Sequence, residues 1–166
     1  ARKEGDVRLQ VHGLCGPRFN DVSFDVRKGE IVGMAGLVGA GRSEVAKAIF
    51  GAEPAKSGEV LLDGNRVRFG EPSQAIAAGL AMVQEDRKLL SLFMDLPILF
   101  NISVAQMPRM ARAGVIQHRQ VNQSAQRFVD QLRIKLAALD NPIRSLSGGN
   151  QQKVILARWL ATSPKL

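Results

Sequence analysis

A chain of 166 residues, 45% hydrophobic and 23% charged, has the length and composition of one modest globular domain with a core, which excludes a disordered polypeptide. Its single cysteine, Cys15, excludes an internal disulfide and suits a reducing compartment. Neither the opening ARKEGDVRLQ nor the uncharged stretch 96–108 reads as a signal peptide or supplies the ~20 apolar residues of a membrane helix. The net charge of +8 is unevenly placed: residues 1–104 hold 13 basic and 13 acidic side chains, residues 105–166 hold 10 and 2. Arg109, Arg112, Arg119, Arg127 and Arg133 stand apart from one another with few aromatics between them, a pattern of solvated helix faces that argues against a nucleic-acid surface.

In chain order, Val7, Leu9 and Val11 alternate, as do Val22, Phe24 and Val26, and both segments read as half-buried antiparallel strands. Residues 27–30 (RKGE) form a turn. Residues 31–35 (IVGMA) are a short apolar run bounded by glycine and read as a strand buried on both faces. Val45, Ala46, Ile49 and Phe50 then fall at helical spacing, and Gly51 stops the helix. Residues 58–64 read as a further strand and turn, 73–78 as a helix, and 80–83 as a second buried strand ending at Gln84. After it, prolines 97 and 108 and three methionines, without strand-like alternation, predict a helical insert in which Val121, Ala125, Phe128 and Leu132 mark one helix face. His118 opens that helix and reads as a surface residue. A last apolar helix follows LSGGNQQK and runs through Leu160.

Two stretches carry chemistry. GLVGAGRSE (residues 36–44) places glycines at 36, 39 and 41, where side chains would obstruct a tight loop whose backbone N–H groups converge on a phosphate. A buried strand before it and an amphipathic helix after it are the setting that chemistry needs. Ser43 has a hydroxyl to offer a Mg²⁺ ion. Arg42 stands where a compact lysine would reach over the β- and γ-phosphates; the planar guanidinium is wider, and predicts weaker binding and poor in-line transfer. In LSGGNQQK, Ser147 can cap a helix or donate to an anion, and Gly148 and Gly149 leave backbone N–H groups open.

Together these motifs resemble the ATP-binding cassette (ABC) family. GLVGAGRS is similar to its Walker A loop, Gln84 to its Q-loop glutamine and LSGGN to its signature motif. More narrowly, GMAGLVGAGRSE, QEDRK and LSGGNQQKVILARWL resemble the second cassette of fused ATPase subunits in bacterial monosaccharide importers, where an arginine in Walker A is typical. The resemblance implies an α/β P-loop NTPase fold of the ABC type: an N-terminal antiparallel β subdomain, a partial parallel core sheet and a helical subdomain. It divides the chain into residues 1–88, a helical subdomain at 89–145, and the signature motif with its helix at 146–166.

The implied ligands are ATP and Mg²⁺, held by Gly36, Leu37, Val38, Gly39, Ala40, Gly41, Arg42, Ser43, Glu44, Gln84, Ser147, Gly148 and Gly149. Ser43 and Gln84 would meet the metal through the nucleotide. In the family two cassettes meet head to tail, so Ser147, Gly148 and Gly149 would complete the partner cassette's site and residues 36–43 would build a degenerate one. The expected partners are a first cassette in the same chain or a second ABC subunit, membrane permease subunits and, indirectly, a sugar-binding protein. No nucleic acid is expected. The implied place is the cytoplasmic face of the bacterial inner membrane. Two features depart from the pattern. His12 and Phe19, rings near the first strands, each read as surface or core rather than as an adenine-stacking aromatic. The chain also reads as ending before the Walker B segment, so that no catalytic residue is expected within it and the chain alone is expected to be inactive. Glu85 and Asp86 read as a solvated turn. A different class, a non-transport ABC protein acting on the ribosome or nucleic acid, would suit the basic C-terminal half.

Overall fold

The computed structural model describes residues 5–84 and 91–166, so Glu85 and Asp86, and the expected boundary at 88, lie outside the described residues. The chain forms two compact units, residues 1–80 with Leu166, and residues 81–165.

In the first unit the alternating segments become β1 (Val7–Cys15) and β2 (Val22–Arg27), joined by β3 (Ser57–Leu62) and β4 (Asn65–Val67) in an antiparallel sheet of order β2-β1-β3-β4. The register sets Val11 opposite Phe24 on one side and Val60 on the other. Leu9, Val11, Leu14, Val26, Val60 and Leu62 are buried, as period-2 alternation requires of a sheet with one covered face. Asp63 and Gly64, with φ of 50° and 77°, make the two-residue β3–β4 turn whose left-handed backbone matches strand twist. Helix α1 (Arg42–Phe50) buries Val45, Ile49 and Phe50 and ends at left-handed Gly51. Helix α2 (Pro72–Ala78) begins on Pro72 and ends at left-handed Gly79.

The two expected buried strands are not strands. Every residue from 27 to 40 is exposed, Ile31 at 95%, and among the described residues no segment hydrogen-bonds 31–35 into a ladder. At 80–83 only Leu80 is buried, while Val83 is 49% exposed. Both described sheets are antiparallel, so the partial parallel core sheet does not form among the described residues. The physical reason is that an apolar run specifies burial, but only a neighbouring strand supplies the ladder that makes it a strand.

The second unit holds α3 (Ile98–Ser103), a 3-10 turn (Met107–Met110), a hairpin of β5 (Ala111–Arg112) and β6 (Val115–Ile116), α4 (His118–Gln131), a second 3-10 turn (Ile143–Ser145) and α5 (Gly148–Leu160). The hairpin corrects the expectation of an insert without strands: Ala113 and Gly114, with φ of 50° and 79°, build a tight turn that is too short to leave an alternation signal. Val121, Ala125 and Phe128 are buried as the helical spacing predicts, and Ala125 and Phe128 pack with Ile98, Ile102, Ile143, Val154 and Ile155 in one apolar cluster. His118 opens α4 and is exposed.

A polar knot fastens this core. The Asn101 amide, fully buried, donates to the carbonyls of Phe93, Leu96 and Pro97 and accepts from the Phe93 N–H. Arg158 of α5 donates to the Asn101 and Ser91 carbonyls, each at 2.6 Å, and to Asn101 Oδ1 at 3.1 Å. Its guanidinium also lies 5.7 Å from the centre of the Phe93 ring, and burial lowers its pKa to about 10. The helix that begins at Ser147 is thereby tied to residues 91–101.

Candidate functional site

The two candidate phosphate-binding segments are the starts of α1 and α5. Before α1, Gly39 and Gly41 take φ of 85° and 84°, the left-handed conformation the tight loop demands, and Ala40 closes it with a hydrogen bond to the Leu37 carbonyl. Leu37 and Val38 face solvent, and the N–H groups of Val38, Gly39 and Gly41 have no partner among the described residues. Unpaired backbone donors before a helix start are of the kind that can hold an anion. A second constraint acts on Gly41: any Cβ there would collide with the Arg18 carbonyl. A Cβ on Gly36 would lie 3.6 Å from Arg42 Cδ and 3.9 Å from its Nε, so the Arg42 side chain is folded back beside the loop. Ser43 and Glu44 occupy the first turn of α1, and the Glu44 carboxylate turns 3.6 Å toward Arg18, a pairing the sequence reading missed.

Ser147 is the N-cap residue of α5, but its side chain makes no capping bond to the helix backbone, contrary to the expected cap. Its Oγ instead accepts from Asn150 Nδ2 at 3.1 Å. Gly148 and Gly149 form the first helical positions. A Cβ on Gly149 would meet nothing within 4 Å, so the chain itself does not require glycine there. Gln151 braces the approach by donating to the Leu146 carbonyl at 3.0 Å, and Lys153 reaches the Arg133 carbonyl at 2.9 Å. Asn150 and Lys135, the latter donating its N–H to Asn150 Oδ1 at 3.0 Å, are site neighbours that sequence reasoning did not single out.

Gln84 belongs to the second unit and ends no strand; its Nε2 contacts Met82 Sδ at 3.9 Å. Phe19 lies with its ring against Gly16 and is half-buried, and His12 is exposed, which agrees with their reading as core and surface. Among the described residues no group of three or more His, Cys, Asp or Glu could hold a metal ion by itself. Ser43, in the first turn of α1, carries the hydroxyl next to the glycine loop.

An antiparallel β unit, a glycine loop opening one helix and a serine–glycine start opening another define a nucleotide-binding cassette. The family model described as ABC transporter matches residues 19–166, and the chain belongs to that family. It is 46% identical over 163 residues to a protein of Pseudomonas syringae pv. syringae provisionally named a ribose/galactose/methyl galactoside import ATP-binding protein, covering 98% of this chain and 31% of that protein. It is also 46% identical over 165 residues to a ribose import ATP-binding protein of Streptomyces avermitilis, covering 99% and 33%. The chain thus spans about a third of the length of these relatives. A dimeric ATP-binding cassette in a post-hydrolysis state bound to ADP and Pi shares its fold with a TM-score of 0.76 at 20% identity, covering 94% of this chain and 70% of that one. A nucleotide-free ATP-binding cassette from an ABC transporter matches with a TM-score of 0.76, covering 96% and 66%.

Proposed function

We propose that this chain is part of the ATP-binding subunit of a bacterial monosaccharide importer, the second of two cassettes, which couples ATP binding and hydrolysis to sugar uptake. One observation supports the reading: two glycine-marked helix starts stand in one chain, at α1 and α5, the first with an arginine at the lysine position. The names of its relatives point the same way and do not favour the ribosomal or nucleic-acid alternative. In this reading residues 36–44 belong to a degenerate ATP–Mg²⁺ site, Gln84 is the Q-loop glutamine, and Ser147, Gly148 and Gly149 serve the competent site of the partner cassette. The division into residues 1–88, 89–145 and 146–166 follows. The partners are a first cassette, permease subunits and, through them, a sugar-binding protein, at the cytoplasmic face of the inner membrane. The chain alone is expected to hydrolyse no ATP above background.

Affinity purification of the full-length protein from membranes, followed by titration with ATP with and without Mg²⁺, tests this. Recovery with a permease subunit and Mg²⁺-dependent ATP binding are expected. Recovery with RNA and no permease would overturn the reading.

A further inference from the structure

We infer that Asn150 is a positioning residue that aims the hydroxyl proton of Ser147 outward, toward an incoming phosphate. The orientation of its amide is fixed by chemistry. The Lys135 N–H can only donate, so the atom 3.0 Å from it must be Oδ1, and Nδ2 must face Ser147 Oγ at 3.1 Å. A hydroxyl has one proton and two lone pairs. Asn150 occupies a lone pair, and no partner among the described residues takes the proton. The hydroxyl therefore presents its O–H on the side away from Asn150, as a donor waiting for an acceptor. The backbone beneath it is tied down: residues 132–135, with Arg133 at φ 50°, are joined to α5 by Lys153. Ile134 and Leu146, on either side of the arrangement, are buried. The same serine without Asn150 would be free to rotate its proton onto its own surroundings.

This rests on the reading of Ser147 as a phosphate contact, and the test separates the two. Asn150→Asp keeps an acceptor for the Lys135 N–H but replaces the donor facing Ser147 with a second acceptor, which captures the serine proton. In the full-length protein assembled with its permease, ATP turnover is measured for wild type, Ser147→Ala, Asn150→Asp and the double variant, with thermal melting of each. Ser147→Ala is expected to lower turnover ~10²-fold, and Asn150→Asp at least ~10-fold with an unchanged melting temperature. In the Ser147→Ala background Asn150→Asp should cost less than about 2-fold more, because the group it acts through is gone. An equal cost in both backgrounds would mean that the new charge acts on its own, and would overturn the inference while leaving Ser147 its role. A silent Asn150→Asp would do the same. A silent Ser147→Ala would overturn both.

Discussion

The starts of α1 and α5 are built in opposite ways. At α1 the glycines do the folding: Gly39 and Gly41 hold left-handed backbone, Gly41 also makes room for the Arg18 carbonyl, and the preceding residues 31–40 lie exposed, without ladder partners among the described residues. At α5 the glycine that faces solvent is not needed by the fold, and side chains hold the geometry: Asn150 on Ser147, Gln151 on Leu146, Lys153 on Arg133, Arg158 on residues 91 and 101. The contrast teaches that a glycine motif has two unrelated causes. One is set by what the chain must do to itself, the other by what must come close from outside.

The sharpest test of the contrast is amide exchange on the 166-residue chain. Residues 31–38 are expected to exchange near intrinsic rates, whereas the α3 and α5 amides should be protected ~10³-fold or more. Strong protection across 31–35 would erase the difference between the two starts. Next in size is function. On the proposed reading, in the full-length protein Ser147→Ala should lower sugar-stimulated hydrolysis ~10²-fold and Arg42→Ala less than ~10-fold, since the first would remove a γ-phosphate donor from the competent site. The reverse order would break the proposed division of labour.

Stability separates the glycines themselves. Gly41→Ala is expected to destabilise by about 2 kcal/mol or more, from positive φ combined with the Arg18 collision. Gly149→Ala should leave denaturant unfolding within ~1 kcal/mol of wild type, or stabilise the helix slightly, yet impair turnover. Equal losses of stability would show that both glycines serve the fold. The smallest expected effect is on nucleotide binding at the first loop. Arg42→Lys should tighten it several-fold if the wide guanidinium beside Gly36 limits the cradle; calorimetric titration showing weaker binding would mean that the loop is shaped around arginine.

Much of this was legible in the sequence because it is local. Alternation at 7–11 and 22–26 gave β1 and β2, helical spacing gave α1 and α4, and Gly51 marked a helix end. Residues 31–35 were misread for a physical reason: apolar composition is local, but strand pairing is not. The β5–β6 hairpin escaped because two residues per strand are too few to alternate. At the candidate site the glycine loop before α1 and the serine–glycine start of α5 were readable, while the Glu44–Arg18 and Asn150–Ser147 pairings were not. The first depends on a contact 26 residues away, and the second on an amide orientation that only the Lys135 N–H settles.

The knot around Arg158 has a consequence for ionic strength. The surface pair Arg144–Asp95 joins two exposed, oppositely charged groups, and added salt weakens such a pair by screening. Arg158 is held, among the described residues, by two backbone carbonyls, an amide oxygen and a ring face, none of which carries a formal charge for counter-ions to compete with. Its attachment of the α5 helix to residues 91–101 should therefore persist from dilute buffer to molar salt. The second unit keeps its mechanical link through osmotic conditions that strip the surface pairs.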